Sequence, residues 1–295
     1  MKILIAGSNG MVGSAVTRHL VECGHDVKRL VRHKAGPNEV WWNPETGEID
    51  SAELEDFDGV IHLASMPWPL RWTAKSKEKI RANRLATNRM LAESLAKCKH
   101  KPRVLICASG MGYYPSSGDV VLTENSRGGT SFLARLQKDG ESSTTRASEA
   151  GVRVVHLRIP PVLGGSAANR TGFQAGNGQQ WMSWVGRDEL ASIIEFSLTT
   201  DSLSGPINAV SPIPLRNAEF AKTSTLVLGR KTGGTMPAFL VRLMMGEMGE
   251  EFILSSRRIQ PAKLLEAGYK FRFPELGQAL KHELSRNAIV DPGAG

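Results

Sequence analysis

Residues 2–13 read KILIAGSNGMVG. The apolar run from Ile3 to Ala6 stops at Gly7, and Gly10 and Gly13 follow at three-residue steps. An amphipathic helical pattern then begins, with Val12, Ala15, Val16, Leu20 and Val21 on one face. A strand that turns sharply into a helix aims free backbone N–H groups and the positive end of the helix dipole at one point, where a phosphate is stabilised. A side chain at the glycines would obstruct the turn, the phosphate or the helix–strand contact. Opening a βαβ unit, the stretch predicts a dinucleotide site with Gly7, Ser8, Asn9, Gly10, Met11, Val12 and Gly13 around the pyrophosphate.

The next unit selects the dinucleotide. A second strand, Asp26 to Val31, runs into Arg32, His33 and Lys34. NAD-binding proteins usually place an Asp or Glu there to accept hydrogen bonds from the ribose 2′-hydroxyl, and a carboxylate repels a 2′-phosphate. Arg32 instead offers a planar, cationic fork. The expected cofactor is therefore NADP(H).

Strands and helices continue to alternate. EVWW (39–42) reads as a short strand before a turn at Asn43 to Gly47, and DGVIHLA (58–64) as a buried fourth strand. A long helix is expected over 76–97 and a fifth strand over 103–108. A helix over 132–150 is weakened by Ser142, Ser143, Thr144 and Thr145. A sixth strand covers 152–157. The pattern predicts an α/β fold, a Rossmann doubly wound parallel sheet with ligands beyond the C-terminal strand ends. Gly7, Arg32, Leu63, Ala64, Ala108 and Ser109 should converge there.

After Arg158 the texture changes. Pro160, Pro161, Gly164, Gly165, Gly172, Gly176 and Gly178 mark a loop-rich stretch. The expected division is an NADP-binding domain over 1–158 and a smaller C-terminal α+β substrate or lid domain over 159–295. Strand 205–210 is expected to return to the core sheet. Helices are expected over 188–198 and over 217–228, the second capped by Asn217. The Met-rich piece LVRLMMGEM (240–248) reads as core filling. Trp181 and Trp184 are expected at the domain junction, and residues 291–295 as a disordered tail.

Composition bounds the rest. The 295 residues are 41% hydrophobic and 22% charged, as in ordinary globular proteins. No apolar run approaches the roughly 20 residues of a membrane span. The chain enters a strand at once, so no signal peptide is read and the cytoplasm is the expected compartment. Cys23, Cys98 and Cys107 give an odd count with no CxxC pair, which suits a reducing compartment and argues against a zinc site. No metal site is expected. The net charge of +8 is densest in RWTAKSKEKIRANR (71–84). Without a recognition motif this reads as a solvated helix face rather than a nucleic-acid arm, with Lys79 or Arg84 available beside an anionic cofactor.

Taken in order, the motifs resemble a known family. They are GxxGxxG at the start, LVR after the second strand, LAS after the fourth, and ASGMGYY after the fifth. WWNPETGEID (41–50), LR with VLG (157–164), QQWMSWV (179–185), GPINAVSP (205–212) and FPELGQAL (273–280) narrow the match. The chain resembles the atypical epimerase-family branch of the extended short-chain dehydrogenase/reductase superfamily, whose members are often labelled nucleotide-sugar epimerase-like or cell-division-inhibitor-like. The resemblance runs from Met1 to about Leu284. It implies NADP binding in a Rossmann core, with Val162 near the cofactor and a C-terminal domain over its reactive end.

It also implies where catalysis belongs. Ordinary members use a Ser followed by a Tyr-x-x-x-Lys, in which the Lys lowers the Tyr pKa and the Tyr exchanges a proton with substrate. Ser109 occupies the serine place, but Leu136 and Gly140 occupy the Tyr and Lys places. Gly140 also replaces a Trp, and Gly186 a His, typical of the branch. The best remaining catalytic groups are Ser109, Tyr113 and Tyr114, with Lys138 available to lower a Tyr pKa. Two functions stay open. One is an NADP(H)-dependent oxidoreductase or epimerase-like enzyme acting on a small carbonyl or hydroxyl compound. The other is a non-catalytic NADPH-binding protein whose state is read by a protein partner. A homodimer or a protein partner is compatible with both, and neither nucleic acid nor membrane is expected.

Overall fold

In the computed structural model, which describes residues 1–164, 173–229 and 233–290, the central layer is an eight-stranded sheet. Its strands are β1 (Lys2–Ala6), β2 (Asp26–Val31), β3 (Glu39–Asn43), β4 (Glu48–Ile49), β5 (Gly59–His62), β6 (Val104–Gly110), β8 (Arg153–Ile159) and β13 (Gly205–Asn208). They lie in the order β13-β8-β6-β5-β1-β2-β3-β4. All neighbouring pairs are parallel except β3–β4, a hairpin in which Trp42 faces Ile49. Sequence pattern alone does not reveal β4, because two residues carry no periodicity.

The main helices are α1 (Met11–Glu22), α2 (Ala74–Lys97), α3 (Phe132–Ser142), α4 (Thr145–Glu149), α5 (Arg187–Thr199), α6 (Asn217–Val227), α7 (Ala238–Met245) and α8 (Leu276–Val290). Apolar residues on successive strand positions feed two cores. Ile3, Ile5 and Ile106 pack with Val16 and Leu20 of α1 and Leu190, Ile193 and Ile194 of α5. Leu4, Leu30 and Leu105 pack on the other face with Leu91 and Leu95 of α2. Helices on both faces of a parallel sheet make the doubly wound α/β architecture expected from the alternation. The strand order reverses at β1, whose neighbours are β2 and β5, so a crevice opens at its C-terminal end.

The C-terminal half adds short pairings: β7 (Val121–Leu122) with β16 (Arg258–Ile259), β9 (Val162–Leu163) with β12 (Val185–Gly186), β10 (Phe173–Ala175) with β15 (Gly233–Met236), and β11 (Trp181–Met182) with β14 (Leu215–Arg216). Gly205 to Asn208 pair with Val155 to Arg158 at the edge of the central sheet. Gly165 and Gly172 of the loop-rich stretch, and residues 291–295, lie outside the described residues.

Three local expectations are corrected. The helix expected over 132–150 breaks at Ser143 and Thr144, where hydroxyls bond backbone carbonyls and Thr144 Oγ1 also meets His156 Nε2 at 2.8 Å. Those bonds offer the backbone an alternative to the helix. Asn217 does not cap α6. Arg216 occupies the cap position, while the Asn217 carboxamide accepts from Ala175 N at 2.8 Å. The Met-rich stretch is not core filling: Val241 is buried, but Leu243 and Met244 are exposed.

Candidate functional site

The glycine turn is positioned by sterics that are visible at each glycine. Gly7 has φ +85°, and a Cβ there would stand 2.6 Å from Ala64 N. A Cβ on Gly13 would stand 1.9 Å from the Gly7 carbonyl oxygen, so α1 approaches β1 only because Gly13 has no side chain. Gly10 differs. Its φ is −74°, and its Cβ position meets nothing nearer than Gly7 O at 3.5 Å. The helix it opens has no side-chain cap and no acidic residue in its first turn. The positive end of α1 therefore faces an open cleft.

That cleft is a cavity of about 770 Å³. Gly7, Ser8, Asn9, Gly10, Arg32, Leu63 and Ala64 line it, so one cavity gathers residues from the ends of β1, β2 and β5, while Ala108 and Ser109 at the end of β6, expected to converge with them, are not part of its lining. Arg32 is exposed and pairs with no other described residue. Its neighbour His33 is turned to Glu39, with Nε2 to Oε2 at 3.2 Å. Glu39 also accepts from Gly36 N and approaches Arg29, and the Gly36 bond followed by His33 holds its carboxyl below the usual range. Glu39 is thus engaged within the β2–β3 turn, and Arg32 stays open to the cavity.

The cavity reaches further than the motifs indicated. Trp42, Asn43, Pro44 and Glu45 of the β3–β4 hairpin also line it, as do Ser65, Met66, Pro67, Asn83 and Thr87. Asn43 Oδ1 accepts from Glu45 N at 3.0 Å and fixes the hairpin turn. The WWNPETG stretch signalled a turn, but only the sheet order brings it beside Arg32. Beneath Trp42 lies buried His62, ring edge to ring face at 5.8 Å. Burial, then the charge of Arg84, lowers its pKa to about 3.

The other expected residues divide. Met11, Val12 and Gly13 form the first turn of α1 and do not line the cavity. Lys79 is exposed on α2 outside the lining, and Val162 is engaged with Val185 between β9 and β12. Arg84 donates to the Ala108 carbonyl at 2.7 Å, tying α2 to the end of β6 rather than lining the cavity.

Ser109 lies at the C-terminal end of β6, in a different environment from the glycine turn. Its Oγ donates to Glu141 Oε1 at 2.7 Å and stands 3.3 Å from Gln137 Oε1. Arg158 grips Glu141 with two bonds of 2.9 Å, Nε to Oε1 and Nη2 to Oε2. Its guanidinium also covers the Tyr113 ring at 3.4 Å and donates to the Tyr114 hydroxyl at 2.8 Å. Gln137 and Glu141 were missed because they sit one residue beyond Leu136 and Gly140. Their spacing of four, one turn of a helix, was the available signal. Leu136 turns into the apolar cluster with Ile80, Phe132 and Leu133.

Tyr114, expected among the catalytic groups, is buried in this structure. Its side chain has 0% exposure, and its hydroxyl donates to Asn208 Oδ1 at 2.7 Å. Burial drives its pKa up to about 12 against the opposing pull of Arg158. Tyr113 is half-buried, flanked by Arg158. Lys138 donates to Gly129 O at 2.7 Å and stands 5.9 Å from the Tyr113 ring centre. Of the two tryptophans, Trp184 is buried with Phe220 and Leu276, while Trp181 lies between the guanidinium groups of Arg216 and Arg258.

Residues 3–208 match the NAD dependent epimerase/dehydratase family, and residues 236–283 match a domain of unknown function, DUF1731. Epimerase family protein ML0860 of Mycobacterium leprae is 36% identical over 296 residues, covering 96% of each chain. The human epimerase family protein SDR39U1, solved with NADPH, superposes with a TM-score of 0.88 at 29% identity, over 97% of this chain and 99% of that one. A nucleoside-diphosphate sugar epimerase from Corynebacterium glutamicum gives a TM-score of 0.82 at 33% identity, over 97% of this chain and 58% of that one. No helix among the described residues is long and apolar enough to cross a membrane.

Proposed function

The chain belongs to the NAD dependent epimerase/dehydratase family, and from that premise we propose that it binds NADP(H) along the β1–α1 turn and acts as an oxidoreductase or epimerase-like enzyme on a small carbonyl or hydroxyl compound. One observation carries the cofactor reading: a single cavity joins the open face of Gly10 to the unpaired guanidinium of Arg32. Backbone donors at the turn suit a pyrophosphate, and Arg32 suits a 2′-phosphate. Asn9 and Ser8 border the phosphate path, and Leu63 and Ala64 wall it. A nicotinamide cofactor supplies hydride chemistry when bound. The chain's own part is to hold the dinucleotide and to present Ser109 to a substrate oxygen. NADPH bound to the human relative accords with this reading.

A second reading, a non-catalytic NADPH-binding protein recognised by a protein partner, is favoured by the packing of α3. Leu136 is buried among apolar side chains, Gly140 carries no amine, and the Tyr114 hydroxyl is sealed away. Turnover of NADPH against a panel of aldehydes, ketones, quinones and nucleotide sugars separates the two.

The cofactor reading is tested by fluorescence titration of wild type and Arg32→Ala with NADPH and NADH. One charge-assisted contact is worth about 1.5–3 kcal/mol, so wild type should favour NADPH by roughly 10- to 150-fold and the variant should lose that margin. Equal affinities in wild type overturn the assignment.

A further inference from the structure

We infer that Ser109 is a committed hydrogen-bond acceptor toward its ligand, so that this end of the site takes a hydroxyl-bearing ligand in preference to the matching carbonyl compound. The inference deepens the oxidoreductase reading and rests on it for the identity of the site. A serine hydroxyl has one proton and two lone pairs. Among the described residues, both side-chain groups within hydrogen-bond reach of Ser109 Oγ are acceptor oxygens, Glu141 Oε1 at 2.7 Å and Gln137 Oε1 at 3.3 Å. The bidentate grip of Arg158 fixes the orientation of the Glu141 carboxylate, with side chains only 3% and 13% exposed. An ionised carboxylate is the stronger acceptor, so the Ser109 proton points to Glu141. Reversing the Gln137 carboxamide leaves the conclusion intact, because its NH₂ group would then donate to Ser109 and again consume no proton.

The lone pairs that remain on Ser109 can only accept. A ligand carbonyl placed against them meets oxygen with oxygen, while a ligand hydroxyl donates and is satisfied. Glu141 acts through Ser109 and is a positioning residue. Asn88 Nδ2 donates to the Gly140 carbonyl at 2.9 Å, so α2 anchors the turn of α3 that carries Glu141. The commitment is therefore built from α2, α3, β6 and β8 together.

The test uses the full chain loaded with NADPH and two matched probe pairs, cyclohexanol with cyclohexanone and 2-butanol with butanone, titrated by ligand-observed NMR. The expected result is alcohol binding about two- to tenfold tighter than the ketone, the scale of one hydrogen bond. Ser109→Ala should bring the ratio to about one. Glu141→Gln presents an amide that can donate to Ser109 and release its proton, so the ratio should fall to one or reverse. A ketone bound as tightly as its alcohol, a ratio unchanged in Ser109→Ala, or no binding by any probe overturns the inference. Ser109→Ala removes one oxygen and keeps the test decisive should Glu141→Gln fold poorly. If wild type fails to bind NADPH, the cofactor reading fails instead, and the alcohol-to-ketone ratio is then read on the unloaded chain.

Discussion

The glycine turn and the Ser109 end of β6 are two ways of building a polar surface at the edge of one parallel sheet. At the turn the polar groups are backbone, and they are exposed by leaving side chains out: Gly7 and Gly13 admit close approach, and Gly10 leaves its space open. At Ser109 the polar groups are side chains, and they are locked by putting more side chains in: Glu141, Arg158, Gln137 and Tyr114 hold one another. A backbone surface is cheap to keep and can be lost to one intruding side chain. A side-chain network stands on desolvated charge and can be lost to one missing partner.

That contrast predicts unequal responses to mutation. The largest effect on stability should come from Arg158→Met, which leaves the largely covered Glu141 carboxylate without its cation. Such losses typically cost about 3–5 kcal/mol, read by urea unfolding. A change below about 1 kcal/mol would show that this end is not held by charge. Gly10→Val should do the reverse. Its backbone suits any residue and its Cβ has room, so the unfolding midpoint should hold while affinity for NADPH and NADH falls together. The expected loss is about 1.5–3 kcal/mol, one charge-assisted phosphate contact. Normal NADPH binding by a folded Gly10→Val chain would misplace the cofactor.

The third effect is one of pH, and it belongs to the buried ring packed against Trp42. His62 has a folded pKa of about 3, lowered by burial and then by Arg84. The unfolded chain takes up this proton near pH 6.5, the folded chain only near pH 3. Stability is thus fully present above pH 6.5 and declines as pH falls toward 3, by about 1.4 kcal/mol per pH unit from this group. His62→Gln should flatten that part of the profile. An unchanged slope would mean that His62 is not kept neutral by its burial.

The cofactor end was legible in the chain because its signals are local. The glycine spacing, the apolar run before it and the cation after the second strand all lie within residues 2–34. The lining by Trp42 to Glu45 was not legible, since it depends on β3 lying next to β2 at the sheet edge. The Ser109 end was read only in part. The motif places Ser109 and the family spacing points to Leu136 and Gly140, but the next residues on the helix, Gln137 and Glu141, face the serine. Tyr114 looked available in the chain and is sealed by Asn208 and Arg158, which arrive from strands 94 and 44 residues away.

Sequence by itself determined the strand–helix alternation of a doubly wound sheet, the glycine turn, the cation after β2 and the absence of a Tyr-x-x-x-Lys pair. These follow from periodicity and from steric rules that act within a few residues. Only the tertiary structure decided which side chains meet Ser109, which tyrosine is closed to a ligand and how far the cavity extends. Those outcomes depend on helical phase, where one residue turns a side chain by about 100°, and on pairs of residues distant in the chain that desolvate each other only once the sheet has formed.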